Sequence, residues 1–393
     1  MPYIETQGVH DADAHIMETA EFLAEFATTP IRDHLLGFDG SSRVATAQEE
    51  LKTILSKQTD PDYRAQDAAE IMTRKNWAAT GALFKADRPK ALDLIGVASQ
   101  LIFNTFINGH LATLESSSND LDLIYGVAEA HNRAMLDFCS VDKRLLSTAY
   151  VPLADFARTE ALARNCVQQG FNGLLIPSAC PRTHSPSHTG LFPLWAIAEE
   201  AGLPILFHVG GGGKLLDENY FRNGLAVPPD FHGGAENFRS VDYMAIPTPV
   251  MKTLATLIID GIFEHHPRLM FGVIEQGASW LPSWMRYLDS AYDAFLRHEE
   301  RLQGLSLRPS DYVRRQIRAT PYPTEDVGWI AQEAGSEIPL FSTDYPHVEG
   351  GRNPVRRFEQ SLEAAEPDVH RQFYHDNFIS LMGAGLPPSL VTP

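Results

Sequence analysis

The sequence predicts an α/β protein that folds as a (β/α)8 TIM barrel. Eight short apolar segments with the character of strands occur along the chain, and most are followed by a longer segment whose apolar residues recur at helical spacing. Strands that alternate with helices form a parallel sheet, and eight such units favour closure into a barrel. Ligand-type side chains also stand at the ends of several of these segments. A doubly wound open sheet is the structural alternative.

The predicted strands can be followed in order along the chain. They lie within residues 11–16, 94–103, 145–153, 173–178, 204–211, 269–277, 317–323 and 339–347. The stretch "DFARTEALARNCVQQG", between the third and fourth strands, illustrates the expected helices. Its apolar residues recur at helical spacing, and Gly170 is placed to end the helix.

Two segments interrupt this alternation, and we expect residues 1–393 to form one barrel domain around them. Residues 20–90 carry polar, helix-like patterns between the first and second strands, which predicts a helical insertion. Residues 209–247 form a long loop after the fifth strand, rich in glycine, proline and aromatic residues. Loops that follow strands build the active-site face of a barrel, so both segments are expected to shape a pocket.

Composition excludes several classes of function. Of the 393 residues, 44% are hydrophobic and 21% charged, which is ordinary for a globular protein. The net charge of −18, without a basic run, argues against nucleic acid and anionic membranes as partners. Three cysteines without a CxxC pair indicate a reducing compartment. No signal-peptide pattern or long apolar run is present, so we expect a cytoplasmic protein with a small-molecule substrate.

The ionisable residues at the strand ends predict a metal site. Asp13 and His15 lie two residues apart in "DADAH", so both side chains point to one face of the first strand. His208, Glu275 and Asp344 stand near the ends of the fifth, sixth and eighth strands. Any one of them alone is more often a structural polar residue. Their joint occurrence at one barrel mouth suits a divalent cation of the zinc or manganese kind.

Four stretches together resemble the amidohydrolase superfamily. They are "DADAHIME", "LPILFHVGG", "HPRLMFGVIEQGASWLPSWMRYLD" and "LFSTDYPH". The nearest branch is that of aminocarboxymuconate-semialdehyde decarboxylase and the metal-dependent resorcylate and carboxyvanillate decarboxylases. The resemblance runs from Asp11 to about Pro346, outside the two insertions. It implies a TIM barrel with one catalytic divalent metal ion, and it suggests a homo-oligomer, a dimer or larger.

The resemblance also implies roles for individual residues. The family's metal ligands on the first, fifth and eighth strands are matched here by Asp13, His15, His208 and Asp344. Glu275 falls where many members have a histidine, which leaves open whether it binds metal, moves protons or contacts substrate. The fourth strand, "GLLIPS", has no lysine that could be carbamylated to bridge two metals, and this favours a single ion.

Three functions follow from this site. The favoured one is metal-dependent, non-oxidative decarboxylation of a small hydroxylated, aromatic carboxylic acid, with Asp344, Glu275 and His208 as catalytic residues. The alternative is hydrolysis of a C–N, C–O or C–C bond by metal-bound hydroxide, and a non-catalytic binding barrel is a third. We expect a protonated Glu275 to donate the proton in decarboxylation. An ionised Glu275 that binds the metal would instead suit a neutral substrate.

Residues that contact substrate are harder to predict. Arg222, Arg239 and Arg352 are candidates for pairing with a carboxylate. Trp280 is a candidate for an aromatic wall, and His347 for the mouth of the barrel. Further aromatic candidates are Trp195, Phe221, Phe231 and Tyr243. Glu18, three residues after His15, either orients the metal shell or anchors a loop.

Overall fold

A seven-stranded parallel sheet forms the centre of the protein. The structure, a computed structural model, describes residues 1–37, 44–213, 215–226 and 239–391, without the side chains of residues 44–50 and 218. The strands are β1 (His10–Ile16), β2 (Ser99–Asn104), β3 (Leu145–Tyr150), β4 (Gly173–Leu175), β5 (Ile205–His208), β6 (Phe271–Ile274) and β7 (Ile317–Ala319). Each pairs in parallel with the next along the chain, which is the strand order of a TIM-barrel-like fold.

The eighth predicted strand is an irregular extended segment between the two edges of this sheet. Pro339 forms an isolated parallel bridge with Ala319 of β7, and Tyr345 forms one with Ala14 of β1. The backbone N–H of Asp344 donates to the carbonyl of Asp13 at 2.9 Å. Because Asp344 has a φ of 51°, a left-handed conformation, the segment cannot continue as a regular ladder. This segment nevertheless lies beside β1, so the last strand-like part of the barrel is next to the first strand.

Helices separate the strands, as the sequence pattern predicts. Between β1 and β2 lie α1 (Ala20–Ala24), α2 (Thr29–Gly37), α3 (Val44–Gln58), α4 (Pro61–Ala65), α5 (Asp67–Glu70) and α6 (Arg88–Ile95). Then follow α7 (Ile107–Ser117), α8 (Leu121–Cys139), α9 (Phe156–Gln169), α10 (Phe192–Ala201), α11 (Ser240–Ala245), α12 (Thr248–Ile259) and α13 (Ile262–His265). The last are α14 (Leu281–Phe295), α15 (Glu300–Gln303), α16 (Pro309–Gln316), α17 (Val327–Ala334), α18 (Pro354–Leu362), α19 (Pro367–Arg371) and α20 (Asn377–Met382).

Local sequence signals set the ends of these helices. Helix α9, for example, begins after Asp155, whose side chain accepts the backbone N–H of Arg158, and ends at Gly170 with a φ of 83°. The side-chain oxygen satisfies an N–H that the first helical turn leaves without a partner, and glycine adopts the left-handed conformation without steric strain. No helix in the described ranges is long and apolar enough to cross a membrane.

Strand β1 carries buried polar side chains that fix the geometry around it. All seven of its residues are buried, and Asp11 is fully so. The Asp11 carboxylate accepts hydrogen bonds from the backbone N–H and hydroxyl of Thr343, at 2.8 and 2.6 Å, and from the Gln100 amide at 2.9 Å. Burial raises the pKa of Asp11 to about 7 despite these bonds. Asp11 therefore ties β1 to β2 and to the irregular eighth segment, directly below the site.

Candidate metal centre

Four side chains converge, two from β1, one from β5 and one from the residue that follows β6. Asp13 Oδ1 lies 3.1 Å from His15 Nε2 and 3.4 Å from His208 Nε2. Glu275 Oε2 lies 3.3 Å from His208 Nε2 and 3.6 Å from His15 Nε2. The exposed fraction of these side chains is 1% for Asp13 and His15, 3% for His208 and 12% for Glu275. We call this set the donor group.

Contacts behind the two histidines orient their rings toward the centre of the donor group. His15 Nδ1 lies 3.3 Å from the carbonyl oxygen of Asn104, and His208 Nδ1 lies 3.0 Å from that of Val209. A carbonyl only accepts, so the ring hydrogen sits on Nδ1 and a neutral ring keeps its lone pair on Nε2. Hydrogen bonds of this kind fix the tautomer of histidines that bind metals.

The protonation states of the donor group favour a cation at its centre. Burial, reinforced by the nearby His347, lowers the pKa of His15 to about 4, so its ring is neutral at pH 7. Burial acts to raise the pKa of Asp13, but hydrogen bonds and positive charge from the imidazoles of His15 and His208 act to hold that pKa well below its ordinary range. A neutral His15 cannot supply this stabilisation and directs a lone pair at the carboxylate, so a positive ion between the two groups would replace it.

The spacing of the donor atoms also fits a metal ion. The four nitrogen–oxygen pairs within the donor group are separated by 3.1 to 3.6 Å. Ligands that surround an ion tetrahedrally at about 2.0–2.1 Å are separated by about 3.3–3.4 Å. His15 Nε2 is buried and has no hydrogen bond within the described residues. Two imidazoles and two carboxylates therefore suit a divalent ion such as zinc or manganese.

Asp344 and His347 form a pair beside the donor group. Asp344 Oδ1 lies 2.8 Å from His347 Nδ1 and 3.5 Å from His15 Nε2. The other ring nitrogen of His347 lies 2.9 Å from the hydroxyl of Thr105, which donates its own hydrogen to the carbonyl of Ile16 at 2.8 Å. His347 Nε2 therefore carries a hydrogen. A second set of atoms close enough to share an ion comes from His15, Glu275, Asp344 and His347.

These positions modify the expected ligand set. The sequence predicts that Asp344 joins Asp13, His15 and His208, whereas Glu275 is the residue that contributes an oxygen to both sets of converging atoms. The geometry therefore supports the alternative in which Glu275 is a ligand. Asp344 is adjacent to His15 and His347, and its role as a ligand stays a prediction.

Two site residues adopt a backbone conformation that is costly for residues other than glycine. Glu275 has a φ of 54° and Asp344 a φ of 51°, and a third such residue in the described part of the chain is Asn76. A side chain in this conformation costs about 1–3 kcal/mol and persists where its surroundings hold it. The backbone N–H of Glu275 donates to Thr320 Oγ1 and its carbonyl accepts the Tyr322 hydroxyl, both at 2.8 Å. This strain is typical of functional sites.

A pocket opens beside the donor group. Its wall consists of Asp13, Glu275, Thr320, Pro321, Tyr322, Pro323, Ser342, Thr343, Asp344, Glu349 and Gly350. Tyr243, one of the predicted aromatic residues, packs against Tyr322 with the ring centroids 4.9 Å apart. The segment that follows β7, at the end of the seventh predicted strand, therefore supplies one side of the pocket, although none of its residues was among the predicted site residues.

Several predicted substrate contacts lie elsewhere. Arg239 stacks on the ring of Phe221 and meets Asp242 at 3.3 Å, and Arg222 is exposed. Trp280 donates to the carbonyl of Gly277 at 2.9 Å, and its ring packs on Trp284. None of Arg222, Arg239 and Trp280 lines the pocket formed by the described residues.

Other predicted residues have structural roles or cannot be placed. Glu18 accepts the backbone N–H groups of Thr105, Phe106 and Ile107 at 2.8 to 2.9 Å, so it anchors the start of α7. Trp195 is fully buried in the core, as packing alone would explain. Phe231 lies outside the described residues.

The chain is similar to known proteins in family and in fold. Residues 118–379 match the family model described as amidohydrolase. No curated protein sequence matches the chain. An amidohydrolase from Mycobacterium avium subsp. paratuberculosis K-10 has a TM-score of 0.69 at 20% identity, covering 97% of this chain and 100% of that one.

Two decarboxylases of hydroxylated aromatic acids are also similar in structure. The 5-carboxyvanillate decarboxylase of Novosphingobium aromaticivorans DSM 12444, complexed with manganese and 4-hydroxy-3-methoxy-5-nitrobenzoic acid, has a TM-score of 0.62 at 17% identity, over 95% of each chain. A dihydroxybenzoic acid decarboxylase of Polaromonas sp. JS666, with bound manganese and 2-nitroresorcinol, has a TM-score of 0.62 at 15% identity, over 99% of this chain and 100% of that one. At these identities the likeness establishes the fold alone.

Proposed function

This chain belongs to the amidohydrolase family of enzymes, and from that premise we propose that it is a single-domain, metal-dependent decarboxylase. Its proposed substrate is a small hydroxylated, aromatic carboxylic acid, and the reaction is non-oxidative. The observation that carries this proposal is the donor group, in which two buried imidazoles face two carboxylates at the wall of a pocket. The similarity in fold to manganese-containing decarboxylases of such acids supports it.

The residues of the donor group are the ones that would hold the ion. Asp13, His15, His208 and Glu275 would bind zinc or manganese, with Asp344 beside them. When bound, a divalent ion acts as a Lewis acid toward oxygen atoms of the substrate. The chain itself then has to orient the acid in the pocket and provide a proton.

Asp344 and His347 are suited to move that proton. Decarboxylation without an oxidant requires a proton on the ring carbon that bears the carboxylate, after which the C–C bond breaks and CO2 leaves. Asp344 lines the pocket, and its Oδ1 lies 2.8 Å from His347 Nδ1. A carboxyl and imidazole pair at this distance can hold a proton and pass it to a substrate atom. Glu275 would contribute as a ligand in this scheme rather than as the acid.

Hydrolysis of a neutral ester or amide is the second candidate, and one observation favours it. Glu275 places a further carboxylate oxygen among the atoms around His15 and His208. With Asp13 and Asp344, three carboxylates would surround the ion, and their combined charge opposes an anionic substrate. A neutral substrate avoids this repulsion.

Assays of the metal-loaded protein distinguish the two reactions. Protein loaded with manganese or with zinc is supplied with ortho-hydroxylated benzoic acids, including 2,6-dihydroxybenzoate, and separately with aryl esters and anilides. Release of CO2 with formation of the phenol, abolished by a chelator, is the expected result. Hydrolysis of esters or anilides without CO2 release from any acid would replace the decarboxylase proposal by the hydrolase one.

A further inference from the structure

The backbone of Glu275 has a conformation that a simple change of chain direction would not require of a glutamate. Glu275 directly follows β6, and its φ of 54° lies in the left-handed region that glycine adopts without strain. Gly277, two residues later, has a φ of 67°. A glycine would therefore suffice at position 275 if the position served only to turn the chain. What Glu275 adds is its carboxylate, whose Oε2 lies 3.3 Å from His208 Nε2.

Two side chains from the segment after β7 hold the backbone polar groups of Glu275. Its N–H donates to Thr320 Oγ1 and its carbonyl accepts the Tyr322 hydroxyl, each at 2.8 Å. Thr320 is buried, and both residues belong to the pocket wall. The N–H and the carbonyl belong to the peptide groups on either side of the Cα atom. The two hydrogen bonds therefore fix the direction in which the Glu275 side chain leaves the backbone.

The carboxylate of Glu325 ties this segment to the loop after β6. It accepts the backbone N–H groups of Ala278, Ser279 and Tyr322, at 3.1, 2.7 and 2.7 Å. Hydrogen bonds to a carboxylate are stronger than those between neutral groups. The ring of Tyr322 also lies close over Gly277, where a Cβ atom would be 3.0 Å from a ring carbon. Tyr322 is thus held at both its backbone and its ring.

We propose that Tyr322, together with Thr320, is a positioning residue that holds the Glu275 carboxylate in place as a metal ligand. This role rests on the part of the proposed function in which Glu275 binds the ion. Without the Tyr322 hydroxyl, the strained backbone of Glu275 is free to relax toward a more common conformation. The carboxylate then turns away from the ring nitrogens of His15 and His208. Partners that hydrogen-bond to metal ligands typically contribute about ten- to hundredfold to metal affinity.

The affinity of the protein for zinc, measured without any turnover, tests this role. Zinc is titrated into chelator-stripped protein in competition with a chelating dye. Sites of nitrogen and oxygen ligands bind zinc more tightly than manganese, so binding stays measurable in weakened variants. Tyr322→Phe removes the hydroxyl and keeps the ring in the pocket wall. Thr320→Val removes the second contact, and Thr320→Ser retains it.

Tyr125→Phe is the matched control, because it also removes a tyrosine hydroxyl with hydrogen bonds. The Tyr125 hydroxyl lies in α8 and donates to the carbonyl of Asp155 at 3.0 Å, with the hydroxyl of Thr159 at 2.9 Å. None of these residues belongs to the donor group. A loss of general stability alone would therefore affect Tyr125→Phe and Tyr322→Phe alike.

The proposal predicts a selective loss of zinc affinity. Tyr322→Phe and Thr320→Val should each raise the Kd of zinc about ten- to hundredfold, whereas Thr320→Ser and Tyr125→Phe should change it less than about threefold. Circular dichroism identifies the variants that are folded, and the two Thr320 variants carry the test if Tyr322→Phe does not fold. An unchanged Kd in folded Tyr322→Phe, or an equal loss in Tyr125→Phe, would overturn the proposal.

A double-mutant cycle with Glu275→Ala shows whether the effect passes through the carboxylate. Asp13, His15 and His208 remain as ligands in this background. Adding Tyr322→Phe should change the Kd of zinc less than about threefold, because no carboxylate is left to position. A further tenfold loss would identify a general structural role of Tyr322 and overturn the proposal. So would a Kd that Glu275→Ala itself leaves unchanged.

Failure of this proposal can be told apart from failure of the proposed function. If the wild-type protein releases no CO2 from any acid but the cycle gives the expected zinc affinities, the decarboxylase proposal fails and the positioning role stands. If it releases CO2 and Tyr322→Phe leaves the Kd of zinc unchanged, the positioning role fails and the decarboxylase proposal stands.

Discussion

Replacing Lys75 by methionine should stabilise the protein, by an amount that depends on pH. The ordinary pKa of a lysine is 10.5, and burial lowers that of Lys75 to about 8. At 1.36 kcal/mol for each pKa unit, this difference corresponds to about 3 kcal/mol of folding free energy that the buried ammonium costs. Methionine has a similar length and no charge, so Lys75→Met removes the cost.

The direction of the pH dependence follows from which state releases its proton first. Below pH 8 both the folded and unfolded states keep the proton on Lys75, so the full cost is present. As the pH rises from 8 toward 10.5, the folded state loses the proton before the unfolded state does, and wild-type protein gains stability relative to the variant. The advantage of Lys75→Met should therefore fall from about 3 kcal/mol at pH 7 to about 1 kcal/mol at pH 9.5.

Urea unfolding at the two pH values, in the presence of a chelator, measures this change. Comparing the variant with wild-type protein at each pH cancels the contribution of all other titrating groups. Packing effects of the methionine do not depend on pH, so the change between the two pH values is the diagnostic quantity. Lys57→Met serves as the control, because Lys57 is exposed in α3 and its replacement should change stability by less than about 0.5 kcal/mol at either pH. A stability difference for Lys75→Met that does not vary with pH would refute the reasoning.

Three further outcomes are expected at the donor group. Removal of the metal should lower the Tm by about 5 °C or more, and manganese or zinc at one ion per chain should restore it, because only the folded state brings the ligands together. Glu275→Gln should lower the metal content measured by elemental analysis, whereas full metal with most of kcat lost would restore Glu275 as the proton donor. Asp344→Asn should reduce kcat at least about a hundredfold, with the circular dichroism spectrum unchanged; retained turnover would exclude Asp344 as the acid.

Much of the fold could be predicted because it depends on local patterns. Seven of the eight predicted strands are present, and the helix that ends at Gly170 has the caps its sequence indicates. The eighth strand was predicted as regular from its apolar residues, but Asp344 takes a left-handed conformation there. Backbone strain of this kind results from the surrounding tertiary contacts, which a periodic pattern does not reveal.

The donor group was predictable for a different reason. Strand ends of a parallel barrel meet at one face, so ligand-type residues at several strand ends must converge there. No such rule predicts which residues form the outer wall of the pocket. Glu349 and Gly350 lie in an irregular segment beyond the eighth predicted strand. Away from this wall, Lys75 lies in a polar insertion where a lysine is ordinarily a surface residue. Only the folded arrangement shows that the Nζ atom of Lys75 is buried.

The pair of Asp344 and His347 changes the argument from charge about the reaction. An additional carboxylate at position 275 by itself favours a neutral substrate, because three carboxylates would leave excess negative charge once a divalent ion was bound. That count treats Asp344 as a carboxylate without a proton. In the proposed mechanism Asp344 and His347, 2.8 Å apart, hold one proton between them, so a divalent ion is balanced by Asp13 and Glu275 alone. Glu275 can therefore bind the metal while the pocket accepts an acid, and the two features that seemed to indicate different reactions are compatible with decarboxylation.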